Sequence, residues 1–540
     1  MKLRNFANKF LLIAVLVVVS WGQLFVGYTP VALVLSPQDE GAVTKSYYLD
    51  QYNEDADTEQ TVYDLLGIKV YNDYLAALDA SQGLQDVVIA VVDTGLNPTH
   101  PVFANRVLSE YAVNFSQGIS DSTVLNQWNN DLNGHGTHVA GLIADMTLDN
   151  VKILPIKIFH GHLNNMDDYS FENAVRYLCA LKTGKTMKLI DDKGYETGTC
   201  NKNKVKLNII AVNLSLGTDG YNVKDSEAMA DFEKDKYGYK ENGIEYSGYQ
   251  DVVDLLIKYE MLPIVAAGNL GSSESKTQTY YSLPGACDGV LAVSAYDNTD
   301  KTSALASFSY HNDFVSIAAP GVEIWSACSQ DIADLLSNSY TDVMEIEEDE
   351  FGEYAQYKYY YNPPFNDTVK WFVRQDEAGN YYMRSSGTSM ATPYVTACYA
   401  MLMSDVAKAS AEDFGLSAWD GEGADQHYMS YAHKALLAAA ATYGDKKVAG
   451  YDEYFGYGIV SVQGFHQADA IPTLVEIQYE GHPSEDYQNA EPSGAKVSDK
   501  EIDWFFALCV LGGGSFLVWI LGIFKSYLTN RRKTHDSNGQ

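Results

Sequence analysis

Basic residues are scarce in this chain of 540 residues: Lys and Arg number 37 against 71 Asp and Glu, so the formal net charge is −34 at pH 7. Proteins that bind DNA or RNA neutralise phosphates with clustered cations, and this imbalance argues against a nucleic-acid-binding protein. Hydrophobic residues still make up 46% of the chain and charged residues 20%, which excludes global disorder and leaves material for a large core. The length allows several domains of about 150 residues or one large α/β unit.

Long apolar runs are also few, and the first lies at the N-terminus. Three basic residues precede the apolar run 10–19, which is the layout of a secretory signal peptide. No small-x-small cleavage site follows, and apolar character resumes at 24–26 and 31–35. We therefore expect the chain to be exported, with residues 1–35 serving either as a cleaved signal or as a retained anchor.

The second apolar run lies near the C-terminus, where residues 504–524 carry no charge. About 20 such residues are needed to cross the hydrocarbon core of a bilayer. The glycines at 512–514 would weaken a buried helix of a soluble domain. Acidic residues precede the run and basic residues follow it, so the positive-inside rule predicts a single-pass plasma-membrane protein. In this interpretation 503–525 form the span, 526–540 are cytoplasmic and everything before the span is outside.

Only six cysteines are present. Two lie in apolar stretches that we interpret as helices, Cys398 and Cys509. The other four allow three pairings: Cys179, Cys200, Cys287 and Cys328. We favour a disulfide between Cys179 and Cys200, because the polar segment between them has the composition of a surface loop that is closed by a disulfide.

Three segments carry candidate chemistry, and the first is 86–95. It is a continuous apolar run of strand length that ends in Asp93, with Gly95 two residues later. Such a run is typical of a parallel strand buried on both faces, and ligands of open α/β sheets bind at the carboxyl ends of strands. Turns and helix caps also favour Asp, so this residue alone is weak evidence.

The second segment is 133–141, in which a histidine between two glycines opens a helical stretch. His135 is the candidate base because it stands at the mouth of the helix, whereas His138, one turn on, is expected to be a packed structural residue. No Glu or Asp lies between the two histidines. The pattern therefore does not predict a metal site.

The third segment is 386–393, followed by a long apolar helical stretch. Ser389 falls where the helix begins, and free N–H groups and the positive end of the helix dipole would stabilise an alkoxide or oxyanion there. The alternative is that Ser389 is only the N-cap of the helix.

Taken together, these segments resemble the subtilisin-like serine proteases, whose catalytic residues follow the order Asp, His, Ser. The resemblance implies that Asp93 orients the imidazole, that His135 takes the hydroxyl proton and that Ser389 attacks the scissile carbonyl. A fourth match at 265–269 implies that Asn269 donates its side-chain N–H to the tetrahedral oxyanion, alongside the backbone N–H of Ser389.

Further matches extend the resemblance from Val62 to Ala470. It implies an α/β fold with a doubly wound, mostly parallel sheet and helices on both faces. It also implies a substrate-binding cleft whose primary specificity pocket is lined by Ser215, Leu216, Gly217, Ala267 and Gly268. Leu270 and Ser282 are expected near the wall and base of this pocket, and neither provides a charge for a Lys or Arg side chain.

The chain also departs from the family. The stretch 36–62 is too short for a folding prodomain of about 70 residues with its own core. Little chain separates Gly141 from the strand expected at 151–158, so the calcium-binding loop is expected to be missing, and we predict neither a metal nor another cofactor.

Three stretches are longer than in a minimal subtilase: 182–206, 219–250 and 330–384. The last contains an acidic region near 341–353 and directly precedes the candidate nucleophile. We expect either a solvated loop or a segment that narrows access to the cleft and favours basic substrate segments.

The order of segments is similar to that of the mycosins, the membrane subtilases of type VII secretion systems. Residues 1–35 and 36–62 precede a catalytic domain at 63–470, a linker at 471–502, the span and the tail. The expected partners are a protein or peptide substrate, the membrane through the C-terminal helix, and secretion-system components. Surface-anchored subtilases that trim other exported peptides share most of these features.

The sequence therefore predicts a membrane-anchored, extracytoplasmic serine endopeptidase that hydrolyses exported proteins through an acyl-enzyme. The insertions and the span also allow a structural component of a secretion complex in which proteolysis is secondary. An esterase is less favoured, because the pattern Gly-x-Ser-x-Gly is missing around Ser389.

Overall fold

The computed structural model describes residues 47–49, 61–116, 127–159, 166, 168–191, 195–241, 244–271, 274–275, 277–298, 304–337, 339–349, 352–362, 373–406, 436–437 and 451–463. The predicted leader, linker, membrane span and tail lie outside these ranges. Within the ranges, no helix combines the length and the apolar character needed to cross a membrane.

The strands in these ranges are, in chain order, β1 (Val87–Asp93), β2 (Val113–Asn114), β3 (Val151–Lys157), β4 (Met187–Ile190), β5 (Glu196–Cys200), β6 (Ile209–Leu214), β7 (Tyr221–Asn222), β8 (Tyr239–Glu241), β9 (Ile244–Tyr246), β10 (Leu262–Ala266), β11 (Tyr280–Tyr281), β12 (Leu291–Tyr296), β13 (Val315–Pro320), β14 (Ile324–Cys328), β15 (Ser339–Asp349), β16 (Gly352–Asn362), β17 (Val373–Gln375) and β18 (Tyr381–Ser385). The helices are α1 (Val62–Leu65), α2 (Ile68–Gln82), α3 (His135–Met146), α4 (Asp168–Thr183), α5 (Ser226–Tyr237), α6 (Tyr249–Lys258), α7 (Gln330–Ser337) and α8 (Thr388–Val406).

A seven-stranded sheet with the order β13-β12-β10-β6-β1-β3-β2 forms the centre of the fold, and all its neighbouring strands are parallel. On one side of β1 the sheet contains β3 and β2, and on the other side it contains β6, β10, β12 and β13. The carboxyl ends of β1 and β6 therefore lie at a topological switch point, which is where open α/β sheets bind ligands.

Helices cover both faces of this sheet, as the strand β1 shows. Its seven residues are all buried, because successive side chains of a strand point to opposite faces and each face has its own core. Val87, Ile89 and Val91 pack with α3 and α8 on one face. Val88 and Ala90 pack with α4 and α6 on the other. The predicted doubly wound α/β fold is confirmed.

The three long stretches contain regular structure of their own. The first, 182–206, includes the hairpin β4–β5, and the second, 219–250, includes α5 and the hairpin β8–β9. The third, 330–384, includes α7, the hairpin β15–β16 and the strands β17 and β18, which pair with β14 in a small antiparallel sheet. This sheet ends at Ser385, four residues before the candidate nucleophile.

The acidic region within the third stretch is not a loop over its described length. Its backbone forms β15 and pairs antiparallel with β16, so that Glu345 is opposite Gln356 and Asp349 is opposite Gly352. The backbone is a two-stranded hairpin and not an irregular loop. Both alternatives, a solvated segment and one that narrows access to the cleft, stay predictions.

The favoured disulfide is also wrong, since Cys179 and Cys200 are free, buried thiols. The Cys179 thiol donates to Leu255 O at 3.7 Å and the Cys200 thiol to Met187 O at 3.4 Å. Burial raises the pKa of Cys179 to about 12, so this group stays a protonated donor near neutral pH. Hydrogen bonds to backbone carbonyls therefore take the place of the predicted covalent bond.

Arg106 anchors the C-terminal end of α3, the helix that begins at His135. The guanidinium is buried and donates to Thr147 O at 2.9 Å, Thr147 Oγ1 at 2.7 Å and Val151 O at 3.2 Å, and also to Ala144 O and Leu148 O. Burial lowers the pKa of Arg106 to about 10, and the nearby acidic groups oppose this effect only in part. Of these carbonyls, Ala144 O belongs to the last turn of α3, whose final carbonyls have no partner within the helix. The others follow the helix, so one cation connects the helix end to the start of β3.

Replacing Arg106 with Met is expected to lower the free energy of unfolding by about 3 kcal/mol, because several buried carbonyls lose their donor at once. Chemical denaturation monitored by circular dichroism measures the effect. Lys152→Met is the matched control: Lys152 lies on the adjacent strand, is partly exposed and donates to Asn105 O at 3.2 Å, so its loss should cost less than about 1 kcal/mol. Equal effects of the two substitutions would contradict this role of Arg106.

Candidate active site

The strand β1 and the helix α3 bring Asp93 and His135 together. The ring Nδ1 of His135 lies 2.7 Å from Asp93 Oδ1, and both side chains are buried. Gly136 makes this approach possible, because a Cβ at this position would lie 2.0 Å from Gly95 O. The first turn of the helix can thus lie directly against the end of the strand.

Burial and Asp93 have opposite effects on the pKa of His135. Burial by itself lowers the pKa of the imidazole, but the Asp93 carboxylate and its hydrogen bond, with a further effect of Asp131, outweigh burial. The pKa of His135 is therefore raised above the ordinary value of about 6.5. Such a pairing also fixes the tautomer in which Nδ1 carries the proton and Nε2 is free to accept one.

Asp131, which the sequence analysis did not single out, is hydrogen-bonded both to the segment of Asp93 and to the segment of His135. Its buried carboxylate accepts from the Thr94 hydroxyl at 2.8 Å, from Gly134 N at 2.8 Å, and from the backbone N and hydroxyl of Thr137 at 2.9 and 2.6 Å. Thr94 follows Asp93, and the other donors flank His135. One carboxylate therefore connects the end of the strand to the start of the helix.

Lys157 supports the same place from the end of β3. Its ammonium group is buried and donates to the carbonyl of Thr94. Burial lowers the pKa of Lys157, while Asp131 and Asp93 oppose this effect. The strand is apolar apart from its two lysines, of which Lys157, at its end, is the buried one. Because Lys is rarely buried without a partner, a lysine at the end of an apolar strand is a signal in the sequence.

Ser389 is the second residue of α8 and not its N-cap, since the helix begins at Thr388. Its hydroxyl donates to Ser215 O at 3.1 Å, and the Ser215 hydroxyl donates back to Ser389 O at 2.8 Å. The Nε2 atom of His135 is buried and has no hydrogen-bond partner among the described residues. The structure thus contains an oriented imidazole with a free acceptor and a serine at the start of a helix.

Asn269 is oriented by the residue before Ser389. Its Oδ1 accepts from Thr388 N at 2.8 Å and from Thr388 Oγ1 at 3.1 Å. A Cβ on Gly387 would lie 3.6 Å from Asn269 Nδ2, so the side-chain amide nitrogen lies beside the turn that leads to the serine. With its oxygen occupied, this amide is left to act as a donor, as an oxyanion hole requires.

Replacing Asn269 with Leu is expected to lower kcat by about a hundredfold to a thousandfold with little change in KM, because the donated bond is needed in the transition state only. This is the loss found when one donor of this kind is removed from subtilisin. Steady-state kinetics measures the effect, and thermal unfolding shows whether the fold is intact. Thr388→Val removes only one of the two bonds that orient Asn269 and should have a smaller effect. A rise in KM as large as the fall in kcat would contradict this role.

The other predicted residues have different locations. His138 is fully buried, its Nε2 lies 3.0 Å from Ile324 O, and burial lowers its pKa to about 3, which makes it the structural residue that was expected. Among the described residues, no group of three His, Cys, Asp or Glu is placed to hold a metal ion.

The predicted pocket residues follow two adjacent strands. Ser215, Leu216 and Gly217 directly follow β6, and Ala267 and Gly268 directly follow β10, with the two strands parallel and paired. Both segments therefore leave the same edge of the sheet. Asn269 directly follows Gly268 in the second segment.

The sheet and the helices on both its faces define the class of this protein, a doubly wound parallel α/β fold, in which Asp93, His135 and Ser389 lie at or next to the ends of a strand and two helices. Residues 85–458 match the model of the subtilase family, which is more than half of the chain. The chain belongs to this family.

Several curated proteins are similar over part of their length. The thermophilic serine proteinase of Bacillus sp. (strain AK1) is 27% identical over 62% of this chain and 56% of its own length. Fervidolysin of Fervidobacterium pennivorans is 25% identical over 62% of this chain and 38% of its own length. The chain thus spans about half or less of these relatives. The crystal structure of fervidolysin, at 21% identity, covers 80% of this chain and 50% of the solved one, with a TM-score of 0.45.

Proposed function

We propose that this protein is a serine endopeptidase that uses Asp93, His135 and Ser389 as its catalytic triad. The observation that carries the proposal is the buried pair of Asp93 and His135, in which Asp93 Oδ1 and His135 Nδ1 are 2.7 Å apart. The Nε2 atom of His135 has no hydrogen-bond partner in the described part of the chain. A neutral imidazole in this state is ready to accept a proton.

In the first step, the Ser389 hydroxyl turns from Ser215 O to His135 Nε2 and loses its proton to the imidazole while the oxygen attacks the scissile carbonyl. Asp93 stabilises the imidazolium that forms. Asn269 Nδ2 and the backbone N–H of Ser389 stabilise the oxyanion. The imidazolium then gives its proton to the leaving amine, and water activated by His135 hydrolyses the acyl-enzyme by the same steps in reverse.

The location and substrates form the second part of the proposal. The signal-like start and the uncharged run at 504–524 support an enzyme that is anchored in the plasma membrane by one helix, with the catalytic domain outside and the C-terminus in the cytoplasm. We propose exported proteins as its substrates, and a mycosin-like role in type VII secretion as the particular setting. The similarity in segment order supports that setting.

A fluorophosphonate probe tests the chemistry. The full-length protein in membranes should be labelled at Ser389, and labelling should disappear in Ser389→Ala. A folded wild-type protein that is not labelled would overturn the proposed triad. The pathway is tested by comparing the N-terminal peptides of exported proteins from wild-type and Ser389→Ala cells, because a cleavage found only in the wild type identifies a substrate.

A further inference from the structure

Two glycines of the predicted pocket face the same side chain. A Cβ on Gly217 would lie 2.4 Å from Ser282 Oγ, and a Cβ on Gly268 would lie 3.1 Å from Ser282 Cβ. Ser282 is 1% exposed and its hydroxyl donates to Thr218 O at 2.9 Å. It therefore stands between the segments that follow β6 and β10.

Tyr310 fills the space beside Ser282. A Cβ on Gly268 would lie 2.3 Å from Cδ2 of the Tyr310 ring, and a Cβ on Gly220 would lie 2.1 Å from its hydroxyl oxygen. The ring therefore reaches from one segment to the other. It is 2% exposed, it stacks on Tyr280 at 5.5 Å between centroids, and its backbone N–H donates to Gly268 O at 2.9 Å. Displacing it would break all of these contacts.

Glu274 accepts hydrogen bonds from Tyr310 and from both segments. Its Oε2 accepts from the Tyr310 hydroxyl at 2.5 Å and from Gly271 N at 2.7 Å, and its Oε1 accepts from Gly220 N at 3.2 Å. Both carboxylate oxygens are thus engaged by groups of the protein.

From this packing we infer that Ser282 and Tyr310 close the primary specificity pocket, so that the enzyme accepts only Gly, Ala or Ser as the residue before the scissile bond. The inference rests on the proposed function. Two glycine-bordered segments leave room for a substrate side chain between them, but here a serine and a buried tyrosine ring already occupy that room. A large substrate side chain would overlap them, and closely packed interiors accept added volume at considerable cost.

Four peptide nitroanilides that differ only in the residue before the scissile bond test this inference: Ala, Leu, Phe and Lys. For the full-length enzyme in membranes, we expect kcat/KM to be about a hundredfold higher for Ala than for Phe. In Ser282→Gly this ratio should fall about tenfold, because a Cβ and a hydroxyl leave the pocket. Fluorophosphonate labelling of Ser389 is measured in parallel, because labelling does not depend on the side chain of the substrate residue before the scissile bond.

Tyr310→Phe is the matched control, because it keeps the ring and removes only the hydroxyl that donates to Glu274. It should retain the preference for Ala, whereas Tyr310→Ser should relax it. If labelled wild-type enzyme cleaves the Phe, Leu or Lys peptide as well as the Ala peptide, or cleaves none of them, the inference is overturned. It is equally overturned if Tyr310→Phe relaxes the preference as much as Tyr310→Ser. Wild-type protein without labelling would instead overturn the proposed function, and this inference with it.

Discussion

Ser389→Ala is expected to lower kcat by about a millionfold, because it removes the hydroxyl that we propose as the nucleophile and leaves the backbone around it unchanged. This magnitude, too, comes from subtilisin. The remaining activity would reflect the oxyanion hole and substrate binding acting on water. The measurement is the steady-state rate on a peptide that the wild type cleaves.

Ser386→Ala is the matched control for this prediction. Ser386 lies three residues earlier, and its hydroxyl accepts from Glu323 N at 2.8 Å without contacting His135 or Asn269 in the described contacts. Its loss should change kcat less than about tenfold. A Ser389→Ala protein that retains a substantial part of the wild-type rate would show that another group is the nucleophile.

Asp93→Asn is expected to lower kcat by about ten-thousandfold, because an amide at this position allows the wrong tautomer of His135 and cannot stabilise the imidazolium. It should also change the pH profile. His135 acts as a base only when neutral, so the wild-type activity rises with pH through the raised pKa of this residue and is lost as the pH falls below it. Without the carboxylate, burial lowers that pKa, and the midpoint of the rise moves to lower pH.

The pH dependence of kcat/KM distinguishes this electrostatic effect from loss of structure. Asp131→Asn is the matched comparison, since Asp131 raises the pKa of His135 less than Asp93 does and accepts its bonds from Thr94, Gly134 and Thr137 instead of from the imidazole. In Asp131→Asn the midpoint of the rise of kcat/KM with pH should also move to lower pH, but by less than in Asp93→Asn. A midpoint that stays in place or rises in Asp93→Asn would refute the assignment of His135 as the base.

The fold and the chemistry at the sheet edge were predictable where local signals are strong. An uninterrupted apolar run predicts a strand buried on both faces, and β1 is that strand. The glycines around His135 indicate a close approach of backbone, and Gly136 lies against Gly95 O. The apolar run and the glycines beside His135 are visible in neighbouring residues, so a single sequence can reveal them, but Gly95 lies 41 residues before Gly136 and only the structure shows this contact.

Contacts between distant segments were less predictable. Asp131 connects Thr94 to Thr137 through hydrogen bonds, but in the sequence it is one acidic residue among 71. Tyr310 lies 42 residues after Gly268, yet the two are in contact. Cys179 and Cys200 bracket a loop in the manner of a disulfide, but their thiols face different carbonyls.

The sequence by itself determined that this chain has a parallel α/β core with Asp93, His135 and Ser389 at the ends of apolar elements, because hydrophobic patterning and short glycine motifs act locally. Only the tertiary structure decided that Asp131 braces the histidine and that Ser282 and Tyr310 occupy the space between the two glycine segments. Their positions follow from the packing of elements that are far apart in the chain.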